Sequence, residues 1–334
     1  MRNTEQASTL RDFADLSPDD ILDAVEATGV RCDGRFLALN SYENRVYRVG
    51  VEDGAPLVAK FYRPNRWSDE AIVEEHQFTL ELAEAELPVV APLPDAQGTT
   101  LLKHKSHRFA LYPCRGGRAP ELDNPDQLEQ LGRFVARIHA LGATRPFRCR
   151  PTVDIESYAA RPREFLLQNG FIPEHLIDAY GTLTLELIAQ VRHCYARAGE
   201  IRCLRLHGDC HLGNILWTDD GPQIVDFDDA RTGPAIQDLW LFLSGDRDFM
   251  TARLADLLEG YTRFFDFNPA ELHLIEALRT LRMIHYAAWL AARWDDPAFP
   301  RAFPWFNTTR YWEDHVLSLR EQSSLMNEAP LCWG

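Results

Sequence analysis

Three oxygen-bearing side chains at fixed spacing constrain the fold of this chain more than any other feature. In LHGDCHLGNILW, Asp209 is followed five residues later by Asn214, and twelve residues further on IVDFDDA places Asp226 after the apolar pair Ile224 and Val225. Acids and amides are common in turns, and a β-strand begins or ends where an apolar run meets them. The spacing therefore predicts a loop that carries the first two side chains and a strand that ends at the third.

Histidines and cysteines in the same stretch suggest two other kinds of site. Cys203, His207, Cys210 and His211 lie close together, but structural zinc sites usually pair their ligands as C-x₂₋₄-C with H-x₃₋₅-H, and adjacent Cys210 and His211 would have difficulty meeting one tetrahedral ion. Cys210 could instead be a nucleophile with His207 or His211 as its base, although no elbow motif surrounds it. The simplest alternative is that these side chains are buried.

The carboxylates and the amide fit phosphoryl transfer from ATP better. That reaction needs one carboxylate, here Asp209, to orient the attacking hydroxyl and accept its proton. It also needs Mg²⁺, a hard cation that prefers oxygen ligands such as those of Asn214 and Asp226. An isolated D-x-x-x-x-N would be weak support, because such residues often cap turns.

Two upstream residues strengthen the ATP interpretation. Lys60 in VAKF lies on a predicted strand, where a lysine can bridge the α- and β-phosphates. Glu75 lies on the next predicted helix and can hold the Lys60 ammonium in place. Glu74 is adjacent, and helical phase alone does not decide which glutamate forms the pair.

The order of predicted elements divides the chain near residue 113. Before that point the patterns predict helices over 17–29 and 69–86 and strands over 44–51, 57–62, 99–104 and 107–113. Beyond it, amphipathic segments at 125–141 and 247–294 predict helices. We therefore expect an α+β fold with a small antiparallel-sheet lobe over 1–113 and a larger, mainly helical lobe over 114–334.

Composition limits the compartment and the partners. The net charge of −15 argues against nucleic acid and favours a polycationic small molecule or a basic peptide. No apolar run approaches the length of a membrane span, and the polar N-terminus lacks a secretory stretch, so we expect a cytoplasmic protein without a membrane partner. Seven cysteines without a C-x-x-C pair are expected to be reduced thiols.

The motifs also carry a family resemblance. HGD in place of H-R-D, and DFD in place of D-F-G, resemble the aminoglycoside phosphotransferase and choline kinase branch of the protein-kinase-like superfamily. Longer strings resemble the bacterial stress response kinase A family, described as cytoplasmic serine/threonine protein kinases: NSYENRVY, VAKFYRP, EEHQF, GGR, LRLHGDCHLGNILW, GPAIQDLW and WDDPAFP. The similarity covers nearly the whole chain.

This resemblance implies a bilobal kinase-like fold, ATP and Mg²⁺ as cofactors, and a role for six residues. Asp209 would be the proton acceptor and Asp226 a second catalytic residue; Asn214 and Asp226 would bind Mg²⁺; Ser41, Lys60 and Glu75 would bind or position ATP. The expected substrates are protein serine and threonine hydroxyls, with autophosphorylation included. A monomer is expected.

The sequence departs from ordinary kinases in two loops. ALNSYENRVY contains no glycine where kinases have G-x-G-x-x-G, so side-chain hydroxyl and amide donors would cover the phosphates together with backbone N–H groups. No activation-loop signature fits between Asp226 and Asp238, which lie twelve residues apart.

A small-molecule kinase acting on an aminoglycoside, choline or another amino alcohol is the first alternative function. A nucleotide-binding pseudokinase is the third hypothesis.

Three further features have structural interpretations. Asp238 in IQDLW is expected to fix the catalytic loop by hydrogen bonds to its backbone. His139, within the helix predicted over 125–141, is expected to be a core histidine. The aromatic run at 294–312 is expected to pack against the helical lobe, because it would otherwise expose a large apolar patch.

Overall fold

The computed structural model describes residue 13 and residues 15–333, which form two compact units. The first unit contains the described residues up to Val73, together with 91–114 and 296–298; the second contains 74–90, 115–295 and 299–333. Both units draw on distant parts of the chain, whereas the sequence patterns suggested two continuous lobes, 1–113 and 114–334. The assignment of nucleotide cover to one lobe and chemistry to the other stays a prediction.

A five-stranded antiparallel sheet dominates the first unit. Its elements are α1 (Pro18–Glu26), β1 (Cys32–Ala38), β2 (Arg45–Val51), β3 (Leu57–Phe61), β4 (Leu102–His104) and β5 (His107–Pro113). The strands lie side by side in the order β1-β2-β3-β5-β4. Val49, Phe61 and Phe109 of the sheet pack with Ile21 and Val25 of α1 in a buried apolar cluster.

Helix α1 begins where the sequence predicts. Ser17 Oγ accepts a hydrogen bond from the Asp20 N–H, while the Asp20 carboxylate accepts one from the Ser17 N–H. This reciprocal arrangement is a capping box, and Pro18 occupies the first helical position. The helix ends at Glu26. Gly29, three residues later, has a left-handed backbone conformation with a φ of +91°.

Strand β1 was not predicted. Its sequence CDGRFLA contains Asp33-Gly34, a dipeptide typical of turns. The strand accommodates the dipeptide with an irregularity, because its register with β2 shifts between Cys32 and Phe36 and Gly34 has a φ of +82°. A glycine within a strand can therefore mark a bulge, even in a dipeptide that is typical of turns.

The second unit is mainly helical, with two short strand pairs. Its helices are α2 (Asp69–Glu84, which begins in the first unit), α3 (Pro125–Gly142), α4 (Arg161–Gln168), α5 (Ile177–Ala198), α6 (Arg247–Tyr261), α7 (Ile275–Ala292), α8 (Ala298–Ala302, which also begins in the first unit) and α9 (Thr309–Leu325). The strands are β6 (Cys203–Leu206), β7 (Ile215–Thr218), β8 (Gly221–Ile224) and β9 (Arg231–Pro234), paired β6 with β9 and β7 with β8. The predicted α+β class is confirmed.

The aromatic run at 294–312 packs as predicted. Phe299, Phe306 and Trp312 are buried in the large apolar cluster of the second unit, and Trp305 remains 45% exposed. All seven cysteines are free. Among the described residues, no helix combines the length and apolar character needed to cross a bilayer.

Helices α3 and α6 cross with their backbones in contact at two glycines. A Cβ atom on Gly132 would lie 2.0 Å from the Leu257 carbonyl oxygen, and one on Gly260 would lie 1.9 Å from the Glu129 carbonyl oxygen. Both distances are far shorter than van der Waals contact, and packed interiors have little room to relax. Only hydrogen fits at these positions.

We therefore expect Gly132→Ala to lower the free energy of unfolding by about 2 kcal/mol or more, although alanine is the better helix former. Gly181→Ala in α5 is the matched control, because its Cβ would meet its nearest neighbour at 3.7 Å. That variant should gain up to about 1 kcal/mol. Urea unfolding followed by circular dichroism measures both, and a Gly132→Ala variant as stable as the wild type would contradict the packing argument.

Candidate active site

Two loops of the second unit carry the predicted catalytic and metal-binding residues. Asp209 and Asn214 lie on the loop between β6 and β7, and Asp226 directly follows Val225 after β8. The Val225 N–H donates to the Asn214 carbonyl oxygen at 3.0 Å, which joins the loops through their backbones. Three residues that the sequence places up to seventeen positions apart are thus brought together.

The side chains of Asn214 and Asp226 have the geometry and chemistry of oxygen ligands. Asn214 Nδ2 donates to the Asp209 carbonyl oxygen at 3.0 Å, so its amide oxygen is the atom left to bind a cation. Asp226 has φ 63° and ψ 64°, a left-handed conformation that is uncommon outside glycine. Such backbone strain clusters at functional sites, and a carboxylate with an amide oxygen suits Mg²⁺.

The structure argues against the zinc and thiol interpretations. Among the described residues, no three histidine, cysteine or acidic side chains are arranged to hold a metal ion. Cys210 is 1% exposed, and burial raises the pKa of its thiol well above the ordinary value. A thiol in that state is a poor nucleophile, because the thiolate is the reactive form.

His207 joins the two loops through its ring. Nε2 lies 2.9 Å from the Val225 carbonyl oxygen, and Nδ1 lies 3.3 Å from the backbone nitrogen of Asp209. The carbonyl can only accept and the N–H can only donate, so the neutral tautomer with hydrogen on Nε2 satisfies both contacts. The ring also packs on Phe227, with centroids 4.5 Å apart.

Asp238 fixes the backbone of the loop between β6 and β7, as predicted. Its two carboxylate oxygens accept hydrogen bonds from the N–H groups of His207 and Gly208, each at 2.8 Å. His139, also fully buried, lies 3.2 Å from Asp238 through Nε2 and 2.8 Å from the Tyr261 hydroxyl through Nδ1. The prediction of a core histidine is confirmed, and that histidine supports the loop through Asp238.

Glu271 supports the same loop from a greater distance, and no sequence pattern indicated it. Its carboxylate accepts the Ile236 N–H at 2.9 Å, at the start of the single helical turn Ala235–Asp238 that carries Asp238. The side chain is 3% exposed. Burial raises the pKa of Glu271 to about 7, against hydrogen bonds from the turn that lower it.

Arg282 of α7 lies beside the candidate base and was also missed from the sequence. Its Nη1 is 2.6 Å from Asp209 Oδ1, and His211 Nε2 is 3.4 Å from Asp209 Oδ2. Burial acts to raise the pKa of Asp209, but the contact with His211 and the charge of Arg282 outweigh it and lower the pKa to about 2. Asp209 is therefore ionised at neutral pH.

The two adjacent glutamates of α2 that the sequence left as alternatives have different hydrogen-bond partners. The Glu74 carboxylate accepts hydrogen bonds from three successive backbone N–H groups of residues 148–150, at 2.6, 2.7 and 2.9 Å. Glu75 is 3% exposed, and its Oε1 accepts a hydrogen bond from the Thr79 hydroxyl at 3.1 Å. Glu74 is therefore already held by three backbone donors of its own unit, and the choice of the glutamate that pairs with Lys60 stays a prediction.

Lys60 and Ser41 lie in the first unit. Lys60 is on β3, paired with Val46 of β2 and Ala110 of β5, and is 7% exposed. Ser41 lies on the loop between β1 and β2, which contains residues 39–44. Glu75 belongs to the second unit, so its pairing with Lys60 stays a prediction, as does the contact of Ser41 with ATP.

Comparisons with known sequences identify the family. Residues 35–275 match the phosphotransferase enzyme family APH. The Stress response kinase A of Escherichia coli and the Serine/threonine protein kinase RdoA of Salmonella typhimurium are each 46% identical to this chain over 319 residues, with 96% of both chains covered. The chain belongs to the stress response kinase A family. The similarity spans essentially the full length of these relatives.

Solved structures of other kinases share the fold of this family member. An amicoumacin kinase in complex with AMP-PNP, Ca²⁺ and Ami has a TM-score of 0.69 at 19% identity, covering 92% of this chain and 93% of its own. A microcompartment-associated aminopropanol kinase has a TM-score of 0.70 at 16% identity, with coverages of 91% and 97%. The predicted kinase-like fold is confirmed.

The buried Glu271 predicts how stability changes with pH. The folded-state pKa of about 7 lies above that of an unfolded glutamate, about 4.3, so the folded state holds the proton more tightly. The stabilising contribution is complete below the unfolded pKa and is lost as pH rises through the folded pKa. Glu271→Gln cannot ionise, so its unfolding free energy should fall less than that of the wild type between about pH 5 and about pH 8, by about 2 kcal/mol.

Urea unfolding at both pH values measures this difference. Glu321→Gln is the matched control, since Glu321 is an exposed glutamate of α9. The control should follow the wild type. The same pH dependence in wild type and Glu271→Gln would mean that Glu271 is ionised in the folded protein.

Proposed function

We propose that this kinase transfers the γ-phosphoryl group of ATP to serine or threonine hydroxyls of proteins, its own chain included, as part of a stress response in the cytoplasm. The observation that carries the proposal is the joined pair of loops that holds Asp209, Asn214 and Asp226 together. Support for a protein acceptor comes from a relative named as a serine/threonine protein kinase, 46% identical over 96% of this chain. The kinase acts as a monomer without nucleic acid or membrane partners.

Asp209 would orient the acceptor hydroxyl. An alcohol does not ionise unaided at neutral pH, so a carboxylate within hydrogen-bond reach must direct it and take its proton. With a pKa of about 2, Asp209 is a weak base, which suits a loose transition state in which the proton leaves late. Arg282 keeps the carboxylate ionised and restricts its position.

Asn214 and Asp226 would hold Mg²⁺, which when bound neutralises charge on the β- and γ-phosphates of ATP. The amide nitrogen of Asn214 already donates to the Asp209 carbonyl, so the amide oxygen is the atom that would bind the cation. A solved kinase of the same fold contains AMP-PNP with Ca²⁺, which supports a nucleotide with a divalent cation here. Lys60 and Glu75 would position the phosphates.

A small-molecule kinase is the second candidate function. The structures of this fold act on amicoumacin or aminopropanol by their names, and the net charge of −15 suits a cationic acceptor. Arg282 opposes that reading, because a guanidinium 2.6 Å from the candidate base repels an ammonium group approaching the same carboxylate. A pseudokinase is disfavoured, since Lys60, Asp209, Asn214 and Asp226 are all present.

Incubation of the purified protein with Mg²⁺ and labelled ATP, alone and with cell extract, tests the choice of acceptor. Mass spectrometry should place phosphate on serine or threonine side chains. Asp209→Asn keeps the shape but removes the base, so it should bind ATP nearly normally and transfer at least about a hundredfold more slowly. Asp226→Ala should abolish transfer while leaving thermal unfolding largely intact.

Asp219→Asn, at an exposed aspartate in the turn between β7 and β8, is the matched control and should retain full activity. Rapid phosphorylation of an aminoglycoside or choline, with no label on protein, would replace the protein-kinase proposal with the small-molecule one. Full activity in Asp226→Ala would refute the metal assignment.

Lys60 provides an independent test of ATP use. Lys60→Met should lower the transfer rate by on the order of a hundredfold, as expected when a charged contact to the phosphates is removed. Lys103→Met on β4 is the control, because the Lys103 side chain is 65% exposed and pairs with Asp69 at 2.8 Å. If both variants keep activity within about threefold of the wild type, Lys60 does not contact the phosphates.

A further inference from the structure

The loop between β1 and β2, residues 39–44, is anchored by one buried arginine. The Arg63 N–H donates to Asn44 Oδ1 at 3.0 Å, Nε donates to the Glu43 carbonyl at 2.8 Å, and Nη2 donates to the Tyr42 carbonyl at 3.1 Å. The Arg63 side chain is 6% exposed. Tyr42 and Glu43 therefore depend on the position of one guanidinium group, and Asn44 is bound by the backbone of the same arginine.

A carboxylate from far along the chain binds that guanidinium. Asp296 Oδ2 lies 2.9 Å from Arg63 Nη2 and 3.0 Å from Nη2 of Arg45, the first residue of β2. Asp296 Oδ1 accepts the Ala298 N–H at 3.0 Å, which orients the carboxylate. Residues 296–298 belong to the first unit, although the chain before and after them belongs to the second.

Asp296 is the shared counter-ion of two neighbouring arginines. The guanidinium carbons of Arg45 and Arg63 lie 4.7 and 5.6 Å from the centroid of the Phe13 ring, so the two positive charges are close to each other. The Asp296 side chain is 16% exposed, and charge pairs in partly buried positions are screened less than exposed ones. Burial opposes its ionisation, but the Ala298 N–H and the two arginines keep the pKa of Asp296 below its ordinary value. Removing this carboxylate would take away the counter-ion that the two arginines share, although Glu43 Oε1 would still lie 3.2 Å from Arg63 Nε.

We propose that Asp296 is a positioning residue for ATP, which holds residues 39–44 through Arg45 and Arg63 in the conformation that covers the phosphates. The inference rests on the proposed function, in which Ser41 of this loop contacts ATP. A loop without glycine has fewer conformations available to wrap a phosphate. If the loop is ordered before ATP arrives, binding loses less conformational entropy. Ion pairs to Asp296 supply that order.

Nucleotide affinity of Asp296→Asn, compared for ATP and for adenosine, tests the inference. The variant should raise the KM for ATP by about tenfold, the effect of losing a charge-assisted hydrogen bond, with kcat within about threefold of the wild type. The inhibition constant of adenosine, which has no phosphates, should change by less than about twofold. Asp296→Glu should recover part of the ATP affinity. Asp295→Asn, at the adjacent exposed aspartate, should behave as the wild type.

Arg45→Gln provides a second route to the same result if Asp296→Asn folds poorly, because the Arg45 side chain is 21% exposed. The double variant Arg45→Gln with Asp296→Asn should weaken ATP binding less than the sum of the two single effects, since the residues act as a unit. Unchanged ATP affinity in Asp296→Asn and Arg45→Gln would overturn the inference. Equal losses for ATP and adenosine would also overturn it, because they would indicate a general structural role.

The same measurements separate this inference from the proposed function. If the wild type binds ATP and transfers phosphate while Asp296→Asn matches it, the positioning role alone is refuted. If the wild type binds no ATP by direct titration, both the function and the positioning role are refuted.

Discussion

The buried carboxylate of Asp238 is the interaction on which the candidate site depends. A fully buried charge is costly unless several donors compensate it, and here two backbone N–H groups and His139 do so. The two N–H groups belong to His207 and Gly208, the residues directly before Asp209. The hydrogen bonds that compensate the carboxylate therefore also fix the position of Asp209. Gly208 is needed at this point because its φ is +84° and a Cβ would lie 2.2 Å from the Asp229 carbonyl oxygen. Moving the loop would take two of the three donors away from a buried carboxylate.

A second chain of contacts fixes the loop after β8. Arg150 Nε donates to the Ala230 carbonyl oxygen at 2.7 Å, and its Nη2 donates to the Asp228 carbonyl oxygen. The segment that carries Arg150 is itself held by the Glu74 carboxylate through three N–H donors. Backbone carbonyls near a predicted metal ligand are thus satisfied by a buried cation. The strained left-handed conformation of Asp226 can persist because its neighbours on both sides are fixed.

Local patterns predicted what lies close together in sequence. The spacing of Asp209, Asn214 and Asp226 indicated two loops at strand ends, and the patterns over 17–29, 69–86, 125–141 and 247–294 indicated α1, α2, α3, α6 and α7, but not the other helices. The patterns could not reveal Arg282, Glu271 or Arg150, which reach their partners across 73, 35 and 80 residues. Each is an ordinary charged residue on a helix or loop, and only the tertiary fold gives it a buried partner. Strand β1 was missed for a different reason, because the Asp33-Gly34 dipeptide is typical of turns but here lies at an irregularity within a strand.

In the proposed function, ion pairs perform two tasks that other kinases give to flexible segments. Kinases cover phosphates with a glycine-rich loop and control the catalytic constellation with an activation loop. Here the loop over residues 39–44 has no glycine, and Asp226 and Asp238 are too close in sequence for a long intervening segment. Arg63 with Asp296 orders the first region, and Arg282 with Asp209 fixes the candidate base. Because these pairs form when the chain folds, the energetic cost of arranging the site falls on folding rather than on binding.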